Sequence, residues 1–360
     1  MDILVLGGTG AIGIELVRIL SENKSNRITV TSREVRHCDQ NNVKYIKGDA
    51  KNTEFLFNIL QDNFYDVIVD FMIYSTKEFE DRIDRILRDT SHYIFLSSSR
   101  VYADSEQSIT EESDRLLDVC CDQEYLITDE YALTKARQEN ILYNMNEKNW
   151  TIIRPYITYN SNRLQLGFYE KEHWLYRALQ HRTIVFGQDI ASKETTLTSG
   201  EDVAMAMADI IDNGEGKGRV YHITHSSSIK WERVLEIYLD EFEAHMGWRP
   251  KVKIINNSNV IGKILNKKWQ IKYDRMYNRR FDNSKISSIS SSINNVKSVE
   301  EGLKNAICEF FNNGCQFKEI VWKFEGYADK VSDERTNIAE IVGIKNKLKY
   351  LFTRYTKFFE

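Results

Sequence analysis

The chain has 360 residues, of which 42% are hydrophobic and 28% are charged, as is typical of a globular protein rather than a disordered one. The formal net charge of -4 gives no electrostatic reason to expect a nucleic-acid partner, and the apolar runs are too short to span a membrane. The five cysteines include no Cys-x-x-Cys spacing, so we expect a reduced, cytoplasmic protein without a cysteine-built metal site.

The first predicted unit is a buried strand over residues 2–6, followed by a glycine-rich turn and an apolar-periodic helix. Strand, turn and helix in this order are typical of a dinucleotide-binding site. The glycines let the backbone approach a pyrophosphate, and the helix N-terminus offers amide donors and the positive end of its dipole to that anion. The predicted cofactor-binding residues of this unit are Gly7, Gly10, Ala11, Ile12 and Gly13.

The end of the second predicted strand, over 28–31, bears on the identity of the dinucleotide. Proteins that prefer NAD usually place an acidic residue here to hold the ribose hydroxyls. Ser32 and Arg33 stand there instead, and a hydroxyl beside a guanidinium suits the 2′-phosphate of NADP. Glu34 follows directly, so NAD stays possible. We predict that the chain binds NADP in preference to NAD.

Three more strands, over 43–46, 66–71 and 92–97, alternate with helices. This alternation predicts an α/β protein with a Rossmann-type, doubly wound parallel sheet. Asp49 and Ala50 follow the first of these strands and are predicted to contact the cofactor. Asp49 can accept a hydrogen bond from an adenine edge, cap the helix that begins near residue 52, or do both.

A serine cluster stands where the strand over 92–97 ends. Ligands of parallel sheets bind at the carboxyl ends of the strands, so Ser97, Ser98 and Ser99 are expected on the functional edge. The acidic stretch over 103–125 comes next. It is either a loop region over the site or a surface excursion, and the sequence does not separate the two.

Tyr131 and Lys135 lie four residues apart on a helix predicted over 129–146, and this spacing places them on one face. A lysine ammonium near a phenol lowers the pKa of that phenol, which makes it a general acid/base for a sugar or alcohol hydroxyl. The motif is short and recurs freely, so the alternative is a pair of solvated helix residues. A sixth strand over 150–154 is predicted to stop at Pro155.

The second half of the chain is less regular. Helices are predicted over 170–180, 201–212, 231–246, 299–311 and 344–359, and strands over 183–186, 219–224 and 252–255. The predicted organisation is a dinucleotide-binding domain over 1–162, to which about 183–225 return, a smaller substrate-binding lobe over 163–312, and a helical extension over 313–360.

The last helix of the extension is basic and aromatic. Its charged residues are Lys345, Lys347, Lys349, Arg354 and Lys357, and its apolar residues include Leu348, Leu351, Phe352, Tyr355 and Phe359. We predict that this helix docks onto the domain or onto a partner subunit, in preference to a membrane surface.

Taken together, Gly7-x-x-Gly10-x-x-Gly13, the Ser-Ser-x-x-Val-Tyr run that ends at Tyr102, and Tyr131-x-x-x-Lys135 resemble the extended short-chain dehydrogenase/reductases. The branch they resemble is the NAD(P)-dependent epimerase/dehydratase family, which acts on nucleotide sugars. Further stretches of the same family pattern are Arg154-Pro155 with Tyr159, Glu201-Asp202-Val203-Ala204, and Glu301-Gly302-Leu303. The resemblance covers roughly residues 1 to 312.

The resemblance implies roles for individual residues. Ser98 would bond the substrate oxygen and polarise it, Tyr131 would be the acid/base, and Lys135 would bind the nicotinamide ribose and lower the pKa of Tyr131. Ser97 and Ser99 are the alternatives for the role of Ser98. The other implied cofactor contacts are Phe71 and Pro155, and the implied substrate contacts are Ser98, Ser99, Tyr131 and Asn160.

Two departures from the family pattern bear on the reaction. Ser99-Arg100 replaces the Asp-Glu pair of the 4,6-dehydratases, so elimination of water is not expected. The arginine that often binds the substrate diphosphate has no clear counterpart. Lys193, Arg279 and Arg280 are candidates, although surface charges are the simpler interpretation.

These features predict an NAD(P)-dependent nucleotide-sugar epimerase that acts through a transient keto-sugar in surface-polysaccharide synthesis, and a homodimer. One alternative is an NADPH-dependent nucleotide-keto-sugar reductase. The other is a non-catalytic RNA-binding or regulatory protein on the same fold. No metal is expected, because the spacing of His222 and His225 on a strand does not align their side chains.

Overall fold

The computed structural model describes residues 1–61 and 63–356. Its strands, in chain order, are β1 (Asp2–Leu6), β2 (Arg27–Ser32), β3 (Val43–Lys47), β4 (Tyr65–Asp70), β5 (Thr90–Leu96), β6 (Trp150–Pro155), β7 (Ile157–Tyr159), β8 (Ile184–Gly187), β9 (Glu194–Thr195), β10 (Leu197–Ser199), β11 (Arg219–Ile223), β12 (Ile229–Lys230) and β13 (Val252–Ile255).

The helices are α1 (Ala11–Glu22), α2 (Thr53–Leu60), α3 (Thr76–Arg88), α4 (Leu116–Val119), α5 (Gln123–Leu126), α6 (Tyr131–Asn144), α7 (Lys171–Leu179), α8 (Gln188–Ala191), α9 (Gly200–Asn213), α10 (Trp231–Met246), α11 (Asn259–Ile264), α12 (Lys268–Gln270), α13 (Ser284–Ser287), α14 (Val299–Asn312), α15 (Trp322–Ser332) and α16 (Ile344–Tyr355). Ile271–Arg275 is a π-helical turn that continues α12.

Seven parallel strands form the central sheet in the order β3-β2-β1-β4-β5-β6-β11. The strand order reverses between β1 and β4, and such a switch point opens a ligand crevice at the carboxyl ends of the strands. The predicted Rossmann-type α/β fold is confirmed.

The sheet is buried on both faces. Ile3, Val5 and their neighbours on β1 are fully buried, which explains why the strand is a continuous apolar run rather than an alternating one. α1 and α9 pack together in the apolar core on one face, and α3 and α6 pack on the other.

The predicted element boundaries shift by a few residues. Ser32 lies inside β2 rather than after it, and α6 begins at Tyr131 itself. The acidic stretch over 103–125 contains two single-turn helices, α4 and α5. α16 ends at Tyr355, and the predicted helical positions Lys357 and Phe359 lie outside the described residues.

The second lobe is held by its own apolar core, which contains the buried faces of α7, α10 and α14. β8 pairs with β13 and β7 with β10, and neither pair belongs to the central sheet. Within the predicted returning segment over 183–225, α9 and β11 join the dinucleotide-binding half, whereas β8 stays with β13 in the second lobe.

The C-terminal extension is tied to the second lobe by buried charges. Arg177 on α7 donates to Glu325 at 2.9 Å and to Asp329 at 3.0 Å, both on α15. All three side chains are excluded from solvent, and a buried charge needs such partners to be tolerated. α16 then packs on α15, so the extension docks onto the domain. No helix among the described residues is long and apolar enough to cross a lipid bilayer.

Candidate active site

The glycine-rich turn after β1 has the geometry of an anion cradle. Gly7 has a φ of +73°, a conformation that favours glycine, and a Cβ there would lie 2.6 Å from Met72 Sδ. A Cβ on Gly13 would lie 2.7 Å from Gly8 Cα, so α1 approaches the turn at a distance that a side chain would prevent. Gly10 is the N-cap of α1, and no side chain caps its first turn. The amides of that turn therefore suit a bound pyrophosphate.

The ends of β2 and β3 lie beside this cradle. Thr31 Oγ1 accepts a hydrogen bond from Gly7 N at 3.0 Å, which holds the turn against β2. Ser32 Oγ accepts one from Glu34 N at 3.2 Å. Arg33 is exposed and forms no ion pair within the described part of the chain, so its guanidinium is accessible to a phosphate.

Among the residues after β3 and β4, Asp49 differs from its predicted helix-capping role. Asn52 caps α2 by accepting from Phe55 N at 3.0 Å, so the predicted capping role of Asp49 is wrong. The Asp49 carboxylate accepts from Lys51 N instead and stays exposed. Ala50 is buried. The Phe71 backbone N–H donates to the Leu6 carbonyl at the end of β1, and the Phe71 side chain lies beside Gly7.

The three serines after β5 have three different partners. Ser97 Oγ donates to Glu139 at 2.6 Å, and Ser99 Oγ donates to the Arg154 carbonyl at 2.7 Å. Ser98 Oγ accepts from Arg100 N at 3.2 Å, and the Ser98 hydroxyl is one of the groups that oppose the rise in the pKa of the Tyr131 phenol. Ser99 is fully buried, so the structure removes it from the predicted substrate contacts.

Ser98 and Tyr131 line one cleft of about 320 Å³. The cofactor side of this cleft is formed by Ile12 of the glycine-rich unit and Pro155 at the end of β6. Asn160, predicted as a substrate contact, is not among the lining residues; its side chain accepts from Asn162 N in the turn after β7. The cleft therefore joins the predicted catalytic residues to the predicted dinucleotide site.

Lys135 is buried and bonded to the backbone. Its Nζ donates to the Leu96 carbonyl at 2.7 Å and approaches the Met72 carbonyl at 3.4 Å. Burial lowers the pKa of Lys135 to about 8. The ammonium thus lies at the carboxyl ends of β4 and β5, where it could hold the ribose of a bound dinucleotide.

The electrostatics of Tyr131 differ from the prediction. Burial raises the pKa of its phenol, and the strongest opposing effects come from the guanidinium groups of Arg100 and Arg163, followed by the hydrogen bond from Ser98. Lys135, which is expected to lower this pKa, is not among the largest contributions, and its effect on Tyr131 stays a prediction. Arg100 makes the largest contribution that lowers the pKa of Tyr131.

Arg100 is held in place by two carboxylates. Its Nη2 lies 2.5 Å from Glu130, which caps α6 through Ala132 N, and its Nε lies 3.3 Å from the buried Asp274 of the π-helical turn. Nε makes no aligned hydrogen bond there. Both carboxylates sit next to elements that line the cleft, so they fix the guanidinium beside Tyr131.

The lining of the cleft is rich in cationic and polar side chains. The described lining residues include three arginines, Arg100, Arg163 and Arg275, and no carboxylate. Arg275 is buried and anchored by the Gly167 carbonyl at 2.9 Å. Nearby, Lys267 donates to the Phe168 carbonyl at 2.8 Å, and burial lowers its pKa to about 8.

Sequence patterns did not identify these cations. Arg163 follows β7 and Arg275 lies in the π-helical turn, so no spacing rule connects them to Tyr131. Of the candidates that were considered, Arg280 is exposed as expected, but Arg279 is fully buried and donates to the carbonyls of Tyr102 and Ala103. Arg279 therefore has a structural role in which it joins the second lobe to the loop after β5.

Gln165 is a second lining residue that the sequence did not indicate. Its side chain is almost fully buried, and its Oε1 has no hydrogen-bond partner among the residues that the structure describes. A buried acceptor without a partner costs free energy unless a ligand supplies a donor. We therefore expect a substrate hydroxyl or amide at this position.

The histidines considered for a metal site have other partners. His222 Nε2 lies 2.7 Å from the Asp282 carbonyl, and His225 lies next to the carbonyls of Ser227 and Lys297. No group of three His, Cys, Asp or Glu side chains with metal-binding geometry occurs in residues 1–61 and 63–356.

The family model of the NAD dependent epimerase/dehydratase family matches residues 3–223. Among curated proteins, the chain is similar to the chloroplast stem-loop binding protein of 41 kDa b from Arabidopsis thaliana, at 22% identity over 244 residues, which cover 64% of this chain and 60% of that protein. It is also similar to the low-salt glycan biosynthesis protein Agl12 from Haloferax volcanii, at 25% identity over 134 residues, which cover 35% and 41%. The matched part of the chain thus spans less than two thirds of the length of either relative.

The fold is similar to that of a solved enzyme. The crystal structure of UDP-Glucuronic acid 4-epimerase from Bacillus cereus in complex with UDP-Glucuronic acid and NAD superposes with a TM-score of 0.63. The alignment covers 87% of this chain and 99% of that one at 17% identity. At this identity the similarity establishes the fold, and the reaction has to be argued from the site.

Proposed function

The chain belongs to the NAD dependent epimerase/dehydratase family, and from this premise we propose that it is a nucleotide-sugar epimerase that acts through a transient keto-sugar. The resemblance stated from its motifs is thereby confirmed at the level of the family. The observation that carries the proposal is the common cleft, which Ser98 and Tyr131 line together with Ile12 of the dinucleotide cradle.

The residues present fit a dinucleotide. The uncapped first turn of α1 would hold the pyrophosphate, and Lys135 would hold the nicotinamide ribose. When bound, a nicotinamide cofactor accepts a hydride from a carbinol carbon and can return it. Ser32 and the exposed guanidinium of Arg33 support our proposal that NADP is preferred.

The chain's own part in the reaction is proton transfer. Tyr131 takes the proton from the sugar hydroxyl as the carbonyl forms, and it returns the proton when the opposite face is reduced. Ser98 hydrogen-bonds the same oxygen and keeps it at the phenol. Arg100 stabilises the phenolate form between the two steps. An epimerase needs this one reversible proton carrier and no further acid.

The residues after Ser98 support an epimerase over a dehydratase. Elimination of water needs a second acid/base pair beside the sugar. At those positions Ser99 is bonded to a backbone carbonyl, and Arg100 is a permanently charged guanidinium held by two carboxylates. Neither can exchange a proton with a leaving hydroxyl.

The cationic wall supports a nucleotide sugar as substrate. A sugar nucleotide carries a diphosphate, and guanidinium groups bind such oxygens through paired hydrogen bonds. We propose that Arg163 and Arg275, with Lys267 behind them, hold the diphosphate in place of the arginine that the family pattern lacks here. The similarity to a glycan biosynthesis protein supports surface-polysaccharide synthesis as the setting.

The deciding experiment incubates the purified protein with UDP-, GDP-, dTDP- and CDP-sugars and no added cofactor. We expect isomer formation at constant nicotinamide absorbance, because the epimerase returns the hydride to the same substrate. The Tyr131→Phe variant is the matched control and should form no isomer. Turnover that requires NADPH and consumes it stoichiometrically would establish the alternative reductase instead.

The similarity to a stem-loop binding protein supports a second candidate function, which is nucleic-acid binding by the same fold. The net charge of -4 disfavours it, since non-specific nucleic-acid binding depends on basic surface. A gel-shift assay with RNA stem-loops tests it directly. Submicromolar binding together with inactivity on the whole sugar panel would favour this function over the epimerase.

A further inference from the structure

α16 presents one face to the protein and the opposite face to solvent. Tyr350 and Thr353 are the buried residues of this helix, and Tyr350 donates to Asp329 of α15 at 2.7 Å. A Cβ on Gly326 would lie 2.5 Å from the Tyr350 carbonyl, so α15 and α16 are in backbone contact. The rotation of α16 about its axis is therefore set by packing.

The outward face of α16 consists of Ile344, Lys345, Leu348, Lys349 and Tyr355. Ile344 is 78% exposed, Leu348 is 62% exposed and Tyr355 is 58% exposed. Residues four and seven positions apart share one face of a helix, so these three apolar side chains form one stripe. A contiguous exposed stripe of this kind, fixed in orientation, marks an interaction surface.

This surface is also basic. Residues 344–356 include Lys345, Lys347, Lys349 and Arg354 and no acidic residue, although the whole chain carries a net charge of -4. Lys345 and Lys349 are exposed, and each directly follows an apolar residue of the stripe. The surface therefore offers apolar side chains and positive charges at the same edge.

We propose that the outward face of α16 binds an anionic lipid membrane surface. A short helix with aliphatic and aromatic residues on one side and lysines beside them lies in the plane of the lipid headgroups, with its apolar side chains at the acyl boundary. Within residues 1–61 and 63–356, Lys345 and Lys349 form no ion pair, and anionic headgroups would supply the opposite charge. This inference is independent of the proposed enzymatic function.

Charge argues against a second copy as the partner on this face. Closed dimers place the same surface of each copy against the other, and here that would set Lys345 and Lys349 against their like-charged counterparts. RNA would complement the lysines, but its phosphate backbone gives no apolar environment to Ile344 and Leu348. An anionic membrane surface offers negative charge to the lysines and an apolar layer to Ile344 and Leu348.

The test is co-sedimentation of the full chain with vesicles. We expect binding to vesicles of phosphatidylcholine with phosphatidylglycerol, weaker binding to phosphatidylcholine alone, and loss of binding as salt is raised. Leu348→Glu and Lys349→Glu should each weaken binding by about tenfold or more. Ile254→Glu, at another exposed isoleucine, and Lys44→Glu, at another exposed lysine, are the matched controls and should bind like the parent protein.

Three results would overturn the proposal. The first is no sedimentation with anionic vesicles by a protein that circular dichroism shows to be folded and light scattering shows to be unaggregated. The second is a doubling of mass in vesicle-free solution that Leu348→Glu abolishes, which would assign the face to a second copy. The third is binding to an RNA stem-loop that Lys349→Glu weakens and that displaces the vesicles.

Discussion

The guanidinium carbon of Arg100 lies 5.4 Å from the centre of the Tyr131 ring. Glu130, the residue before Tyr131, and Asp274 of the π-helical turn hold the guanidinium at this distance. A fixed positive charge near a buried phenol favours the phenolate, and here it opposes the effect of burial on the pKa of Tyr131. The proton-transfer group of this site is therefore coupled to an arginine that the family motif does not contain.

Arg100→Gln should raise the pKa of Tyr131, because it removes the cation beside the phenol and leaves the charge of the neighbouring Glu130 uncompensated by Arg100. Catalysis that needs the phenolate would then require a higher pH, and the acidic limb of the kcat profile should move upward by about one unit. Arg163→Gln should move it in the same direction by less, since Arg163 is partly exposed. Arg18→Gln, at a remote surface arginine, is the control. An unchanged limb in Arg100→Gln would contradict this role.

Tyr131→Phe should lower kcat by about 100-fold or more, because it removes the group that exchanges a proton with the sugar hydroxyl. Binding of the dinucleotide should persist, as the glycine turn is untouched. Tyr143→Phe, at a tyrosine on the same helix outside the cleft lining, is the matched control and should retain activity. Steady-state kinetics with the substrate found in the sugar panel provide the measurement. Near-normal turnover of Tyr131→Phe would exclude it as the acid/base.

Arg33→Ala should weaken binding of NADP and leave binding of NAD nearly unchanged, because the guanidinium would contact the 2′-phosphate that NAD lacks. We expect a loss of about tenfold or more in NADP affinity by isothermal titration calorimetry. Arg36→Ala, at another exposed arginine of the same loop, is the control. Tighter binding of NAD than of NADP by the parent protein would reverse the predicted preference.

Stability should fall as the pH drops from about 6.5 toward 4, because burial lowers the pKa of His92, His173 and His222 to about 4 each. The folded state keeps these histidines neutral, whereas the unfolded chain takes up protons below its ordinary histidine pKa. Their stabilising effect is thus complete above about pH 6.5 and lost on acidification. Near pH 5, each buried histidine lowers the free energy of unfolding by at most about 2 kcal/mol relative to its value at neutral pH.

Urea unfolding at neutral pH and near pH 5 measures this effect. His92→Gln keeps a hydrogen-bonding group at Thr151 but cannot bind a proton, so its stability should fall less between the two conditions than that of the parent protein. His37→Gln, at an exposed histidine, should behave like the parent. An equal loss of stability in His92→Gln and the parent would show that protonation of His92 does not contribute to the pH dependence of stability.

Among the predicted features, those that depend on local patterns agree with the structure. The apolar run of β1, the glycine turn and the start of α1 are contiguous, and each residue's preference there is satisfied within a few positions. The capping of α2 shows that local sequence patterns do not always identify the correct residue, even at short range. Asp49 and Asn52 are both acceptable caps, and the backbone conformation at Asn52 decides between them.

The sequence by itself determined the Rossmann half and the family, because strand burial, glycine geometry and the Tyr-x-x-x-Lys spacing are properties of short stretches of chain. The tertiary structure alone decided which charges surround Tyr131. Arg100, Arg163 and Arg275 come from the turn after β5, the loop after β7 and the π-helical turn, and they converge on one cleft only when the second lobe packs against the sheet. Electrostatic effects fall with distance through space and not along the chain, so the assignment of the pKa-lowering cation to Arg100 required the folded arrangement.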